Sequence, residues 1–93
     1  MGKNADRAKE LLKDVKAYNP GLLKELKAEG TNPLEYLEGF LDGVDKREQE
    51  TLETLKEKIP QGLEPEEYER ELNWKRQTAK EMANAEVMSL LRG

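Results

Sequence analysis

Residues 33–92, PLEYLEGFLDGVDKREQETLETLKEKIPQGLEPEEYERELNWKRQTAKEMANAEVMSLLR, decide the fold of this chain. Two segments, 33–59 and 65–92, each begin with a proline and carry one narrow apolar stripe. Proline suits the first position of a helix because its missing N–H would have no partner there. Pro60 also pushes the residue before it out of the helical region. We therefore predict one long helix over each segment.

The apolar residues of both segments are spaced for lengthwise helix packing. In the first segment they recur at alternating intervals of three and four, apart from one interval of eight that Glu48 bridges. Such heptad-like spacing is typical of helices that pack side by side along their length, as in coiled coils. The predicted helix–helix or oligomer seam consists of Leu37, Leu41, Val44, Leu52, Leu55, Ile59, Tyr68, Leu72, Ala79, Ala83, Val87 and Leu90.

Two shorter amphipathic segments precede the long pair. Their apolar spacing predicts helices over 5–18 and 20–29. Asparagine side chains often accept hydrogen bonds from the free N–H groups at the start of a helix. We expect this role for Asn4, Asn19 and Asn32, each of which stands directly before a predicted helix.

Three glycines bear on where these helices end. Gly30 is placed to end the second helix in a left-handed turn. Gly39 and Gly43 lie inside the third segment, and each costs about 1 kcal/mol relative to alanine. The close approach of another helix would compensate for this cost. A kink, or a break at which Asp45 caps a new helix, is the alternative. The apolar spacing continues from Leu41 to Val44 and resumes at Leu52, which favours a continuous or merely kinked helix.

The connection between the long segments is short, which makes the flanking helices antiparallel neighbours. The chain is 93 residues long, enough for one small domain over 1–93 with a thin core. A hairpin of that length needs more cover than two short helices supply, and small domains often gain stability by oligomerising. We predict an all-α bundle of four helices, built on a long antiparallel helical hairpin and dimeric.

Composition argues against catalysis and against a metal or cofactor site. The chain has no His and no Cys, and it is 39% charged with a net charge of −4. Carboxylates in the third helix share a face, but helical di-metal sites normally add His and acid–base pairs need a pocket that shifts their pKa values. We expect a solvated acidic face, formed by Glu35, Glu38, Asp42, Asp45 and Glu48.

Trp74 is the one large side chain that the seam does not explain. It lies about 200° from Leu72 around the helix, on a polar face. Exposed aromatic residues commonly anchor a protein partner, or stack on a base where cations bind phosphate. The other possibility is that the first or second helix packs over Trp74 as ordinary core. The candidate partner-binding residues are Trp74, Arg70, Lys75, Gln77 and Thr78.

Two stretches carry a family resemblance. The first is NPGLLKEL at 19–26, continued by Glu29-Gly30, Leu34 and Tyr36-Leu37, and the second is 73–90. Both resemble helices of the TnpV-like proteins, small proteins encoded on conjugative and mobilisable transposons. The additional N-terminal segment typical of that family has no counterpart in this sequence. The resemblance implies a mobile-element or phage accessory protein, and it supplies no catalytic residues.

The function predicted from the sequence is a non-catalytic, helical protein–protein interaction or assembly module. Its expected partners are a protein and a second copy of the chain, a homodimer. The alternative is a nucleic-acid-associated regulator that uses the basic, Trp-containing face of the last helix, although an acidic chain disfavours phosphate contacts. No apolar run is long enough to span a bilayer and no signal peptide is visible. These absences predict a cytoplasmic protein.

Overall fold

Four α-helices make up the computed structural model, which describes residues 4–93. They are α1 (Ala5–Tyr18), α2 (Pro20–Glu29), α3 (Pro33–Lys56) and α4 (Pro65–Arg92). No strand occurs within the described range. The prediction of an all-α chain of four helices is therefore confirmed.

The α3 helix ends at Lys56, three residues before its predicted end at residue 59. The backbone N–H groups of Lys58 and Ile59 donate to the carbonyls of Leu55 and Lys56, three residues back. Such bonds tighten the last turn of a helix into a 3₁₀-type turn. Pro60 explains the change, since the residue before a proline is disfavoured in the α-helical region. Ile59 is nevertheless buried.

The three asparagines before the helices behave differently from one another. Asn32 caps α3 as predicted, since its Oδ1 accepts from the backbone N–H groups of Leu34 at 2.9 Å and Glu35 at 3.3 Å. The capping prediction is wrong for Asn4 and Asn19, whose side chains make no cap hydrogen bond. Both side chains bind remote parts of the chain instead. The side-chain amide of Asn19, for example, donates to a backbone carbonyl near the end of α4.

Gly30 ends α2 in the left-handed conformation, with φ of 76°. The prediction of a left-handed turn is confirmed there. The N–H of Thr31 then donates to the carbonyl of Leu26 at 2.8 Å, so a backbone group left free at the end of α2 finds a partner.

α3 is continuous through both of its internal glycines. The expected close approach of another helix is not found at either position. Nothing in the described chain lies within 4 Å of a Cβ built on Gly39, and the nearest group at Gly43 is the Arg47 guanidinium, 3.1 Å from the added Cβ. Gly43 thus leaves room for an arginine of its own helix, and Gly39 faces open space.

We expect Gly39→Ala to raise the free energy of unfolding by about 0.5–1 kcal/mol, because alanine restricts the unfolded chain and meets no neighbour in the folded one. Urea denaturation followed by circular dichroism measures the change. Gly30→Ala is the matched control: its positive φ strains any residue with a Cβ, so it should destabilise. A loss of stability in Gly39→Ala would show that an unseen neighbour packs on this face.

The core lies where α1 crosses α3 and α4. Its fully buried members come from α1 and α3, and partly buried apolar residues of α2 and the end of α4 pack against them. This one-sided arrangement follows from the amphipathic spacing, since each helix presents only its apolar stripe. The buried set is Ala8, Leu11, Val15, Leu37 and Leu41.

The molecule is elongated because α3 and α4 extend beyond the part that α1 and α2 cover. The core around α1 takes in residues 34–41 of α3 and 87–91 of α4, and Asn4, just before α1, binds Asp42 and Asp45. The radius of gyration is 16.9 Å, whereas a compact chain of this length has about 12 Å. We call residues 46–56 and 65–82 the uncovered end, since neither the core cluster nor the apolar residues packed against it include any of them.

One ion pair joins the two long helices beside the uncovered end. Nε and Nη2 of Arg47 donate to the two carboxylate oxygens of Glu86, at 2.8 and 3.0 Å. This two-bond geometry is the most specific that arginine forms with a carboxylate. The hydrogen bond to Glu86 raises the pKa of Arg47 above its ordinary value. The pair links α3 to α4, and Gly43 leaves space for the guanidinium.

Candidate functional site

Trp74 lies on the uncovered end with 72% of its surface exposed. The possibility that α1 or α2 packs over it is therefore excluded. The reason is geometric: the residues of α4 that face the core include Ala79 and Ala83, and Trp74 projects from the opposite side of the helix. In addition, α1 lies beside α4 near Asn84, about three helical turns after Trp74.

The immediate surroundings of Trp74 are polar and shallow. Gln77, Thr78 and Glu81 line one shallow depression with the indole ring. The Thr78 hydroxyl donates to the backbone carbonyl of Trp74 at 3.0 Å, which occupies that hydroxyl within the helix. Glu81 was not predicted as a site residue. Its spacing of seven from Trp74, two helical turns, is the signal that could have found it.

The two cations predicted for this site occupy different positions. Arg70 is exposed and lies one turn before Trp74 on the same side of α4. It lines a separate shallow depression with Pro60 and Leu63. Lys75 is half-buried, and its Nζ lies 3.8 Å from a carboxylate oxygen of Glu71. Arg70 thus shares the exposed side of α4 with Trp74 but lines a different depression, and Lys75 is paired along its own helix.

The predicted seam residues fall into three groups. The buried ones are Leu37, Leu41, Val44, Ile59, Ala79 and Ala83. The half-buried ones are Leu52, Leu55, Leu72, Val87 and Leu90. Tyr68 differs, with 44% of its surface exposed. Because α3 ends at Lys56, only the turn that follows it lies beside the first helical turn of α4, so Tyr68 has little to pack against.

A second polar cluster joins the start of α1 to α3. The Asn4 side chain is 2% exposed, and its Nδ2 donates to Asp42 at 2.7 Å and to Asp45 at 3.0 Å. Arg7 donates to Asn4 Oδ1 at 2.8 Å and forms an ion pair with Asp45 at 3.0 Å. Within the described chain no buried polar side-chain atom lacks a partner, so the cluster is accounted for as a contact between the start of α1 and α3.

The acidic face of α3 is less uniform than predicted. Glu35 and Asp42 are exposed, whereas Glu38, Asp45 and Glu48 are half-buried. The expectation of a solvated face is wrong for Asp45, because α1 brings Asn4 and Arg7 against it. Across residues 4–93, no group of three or more acidic side chains is arranged to hold a metal ion.

No helix in the described range is both long enough and apolar enough to cross a membrane. Comparison with known proteins adds no relative: no family model, no curated protein and no solved structure matches this chain.

Proposed function

We propose that this protein is a non-catalytic interaction and assembly module that docks through the Trp74 side of α4. In this proposal α3 and α4 form a long antiparallel hairpin, and its uncovered end is the part presented to partners, among them a second copy of the chain. The observation that carries the proposal is the exposure of Trp74 on a stretch of α4 that lies outside the core formed with α1 and α2. The resemblance to TnpV-like proteins would make it an accessory protein of a mobile element or phage, and a cytoplasmic location is part of the proposal.

The energetic argument rests on the size of the indole ring. Tryptophan buries about 150–250 Å² when it is covered, and it is among the residues that most often dominate binding energy at protein interfaces. Because the Trp74 ring is exposed, its burial does not stabilise the isolated chain. Docking of a partner over Trp74 would remove this apolar surface from water, which is favourable.

A nucleic-acid role ranks second in this proposal. Stacking of a base on Trp74 requires cations around it that contact phosphate. Arg70 is exposed one turn before Trp74 but lines a separate depression, Lys75 is paired with Glu71, and Glu81 borders the ring. A carboxylate beside the stacking platform repels phosphate, which favours a protein partner.

A photo-crosslinker tests the docking face directly. Trp74 is replaced by benzoylphenylalanine in the full chain, which is expressed in its natural cells and irradiated. Tyr18, 71% exposed on α1, is replaced in the same way as a matched control. We expect covalent protein adducts at position 74 and few at position 18. Equal labelling at both positions, or adducts to nucleic acid alone, would contradict the proposal.

A further inference from the structure

A second stripe runs along α4 on the side away from the core. Its residues recur at alternating intervals of three and four, so they share one side of the helix, and every one of them is exposed. We call it the Trp74 stripe. It consists of Glu67, Arg70, Trp74, Gln77, Glu81, Asn84 and Met88.

We propose that the Trp74 stripe binds the same stripe of a second copy of this chain, with the two α4 helices antiparallel and a twofold axis between Lys75 and Arg76. This inference rests on the proposed function, and it names one partner of that docking face and its geometry. A twofold interface is self-complementary: if one residue contacts a second, the second contacts the first on the other side of the axis.

The charges of the stripe match in this antiparallel alignment. Arg70 of each copy lies opposite Glu81 of the other, and the axis produces this opposite-charge pair twice. Trp74 lies opposite Gln77, whose long side chain can lie against the indole face. Glu67 lies opposite the neutral Asn84. No two stripe residues of like charge face each other.

A parallel alignment lacks this match. Each residue would then lie opposite its own copy, so that Glu67, Arg70 and Glu81 would all form like-charge pairs. Like charges brought together at an interface suppress association. The charge order along the stripe therefore selects the antiparallel arrangement.

The surroundings of the stripe leave room for a second helix. α4 has 28 residues and is about 42 Å long, and the axis lies near its middle. Only the Asn84 end of the stripe has α1 beside it. In the antiparallel pair this end meets the partner's Glu67 end, where α4 begins and no helix other than α3 packs.

Charge reversal with rescue tests the pairing. Sedimentation equilibrium is measured for the unaltered chain, Arg70→Glu, Glu81→Arg and the double variant. We expect a dimer for the unaltered chain and at least about a tenfold rise in the dimer Kd for each single variant. The double variant restores the opposite-charge pair and should return the Kd to within about threefold. All positions are exposed, so circular dichroism should show unchanged helicity.

Disulfide trapping tests the direction of the helices, and the chain has no cysteine of its own to interfere. We expect Glu67→Cys mixed with Asn84→Cys to give a crosslinked heterodimer on mild oxidation. Glu67→Cys alone should give none, since the two copies of residue 67 would lie about 25 Å apart. A crosslink in Glu67→Cys alone would overturn the antiparallel pairing.

Two further results would also overturn this inference. One is a dimer that neither charge reversal weakens, because another surface would then form it. The other is a chain that stays monomeric at high concentration. In either case, protein adducts at position 74 in the photo-crosslinking experiment would still support the proposed function, so the two proposals fail separately.

Discussion

Leu37→Ala should lower the free energy of unfolding by about 2–5 kcal/mol, the range for a buried leucine truncated to alanine. Leu37 is 0% exposed and belongs to the core cluster with Leu11 and Leu41. Truncation of Leu37 leaves a cavity in the core where α1 meets α3. Small domains have total stabilities of about 5–15 kcal/mol, so this loss is a large fraction. Urea denaturation followed by circular dichroism at 222 nm measures it.

Leu52→Ala provides the matched control for this prediction. Leu52 belongs to the same predicted seam but is only half-buried, on the uncovered end. Truncating Leu52 removes less buried apolar area, and solvent can fill the space that the side chain leaves. We expect a smaller loss than for Leu37→Ala. Equal losses would mean that the uncovered end is covered in solution, and the comparison should then be repeated at several protein concentrations.

Asn4→Ala should destabilise the fold by about 1.5–3 kcal/mol, the net contribution of a hydrogen bond to a charged group. The Asn4 amide is the shared donor to Asp42 and Asp45, and its carbonyl oxygen accepts from Arg7. Its loss removes three hydrogen bonds at once from the contact between α1 and α3. Thermal and urea unfolding of the variant measure the effect.

The control for Asn4→Ala is Asn73→Ala, an asparagine that is exposed on α4. Substitutions on an exposed surface usually change stability by no more than about 0.5 kcal/mol. Indistinguishable values for the two variants would show that the Asn4 cluster contributes nothing to stability. An Asn4→Asp variant provides a second check, because a third carboxylate beside Asp42 and Asp45 should destabilise more strongly than alanine does.

The elements that depend on local sequence could be predicted. Pro33 and Pro65 begin α3 and α4 because proline is suited to the first helical position. Gly30 ends α2 because only glycine adopts a positive φ without strain. These preferences involve neighbours within a few residues, so one sequence is enough to read them.

Features that depend on distant residues could not be predicted. Asn4 and Asn19 have the sequence context of helix caps, yet their side chains bind partners 38 and 71 residues away. Helical spacing gave the direction of Trp74 relative to the seam. It could not show whether another helix covers that direction, because this depends on where α1 crosses the long pair.

The two glycines inside α3 show that spacing also fails to identify neighbours at shorter range. Gly39 and Gly43 have the spacing of a close helix contact, but the described chain brings no other helix near either of them. Gly43 makes room for Arg47, four residues along the same helix. Spacing alone does not distinguish a neighbour in another helix from one in the next turn.

The position of Trp74 also decides how this protein can be observed in solution. It is the only tryptophan in the chain, and it already lies mostly in water in the folded monomer. Unfolding would change its surroundings little, so its fluorescence should follow denaturation poorly. A partner that covers the ring would exclude water and shift the emission to shorter wavelength. The fluorescence of Trp74 should therefore respond to assembly and change little on unfolding.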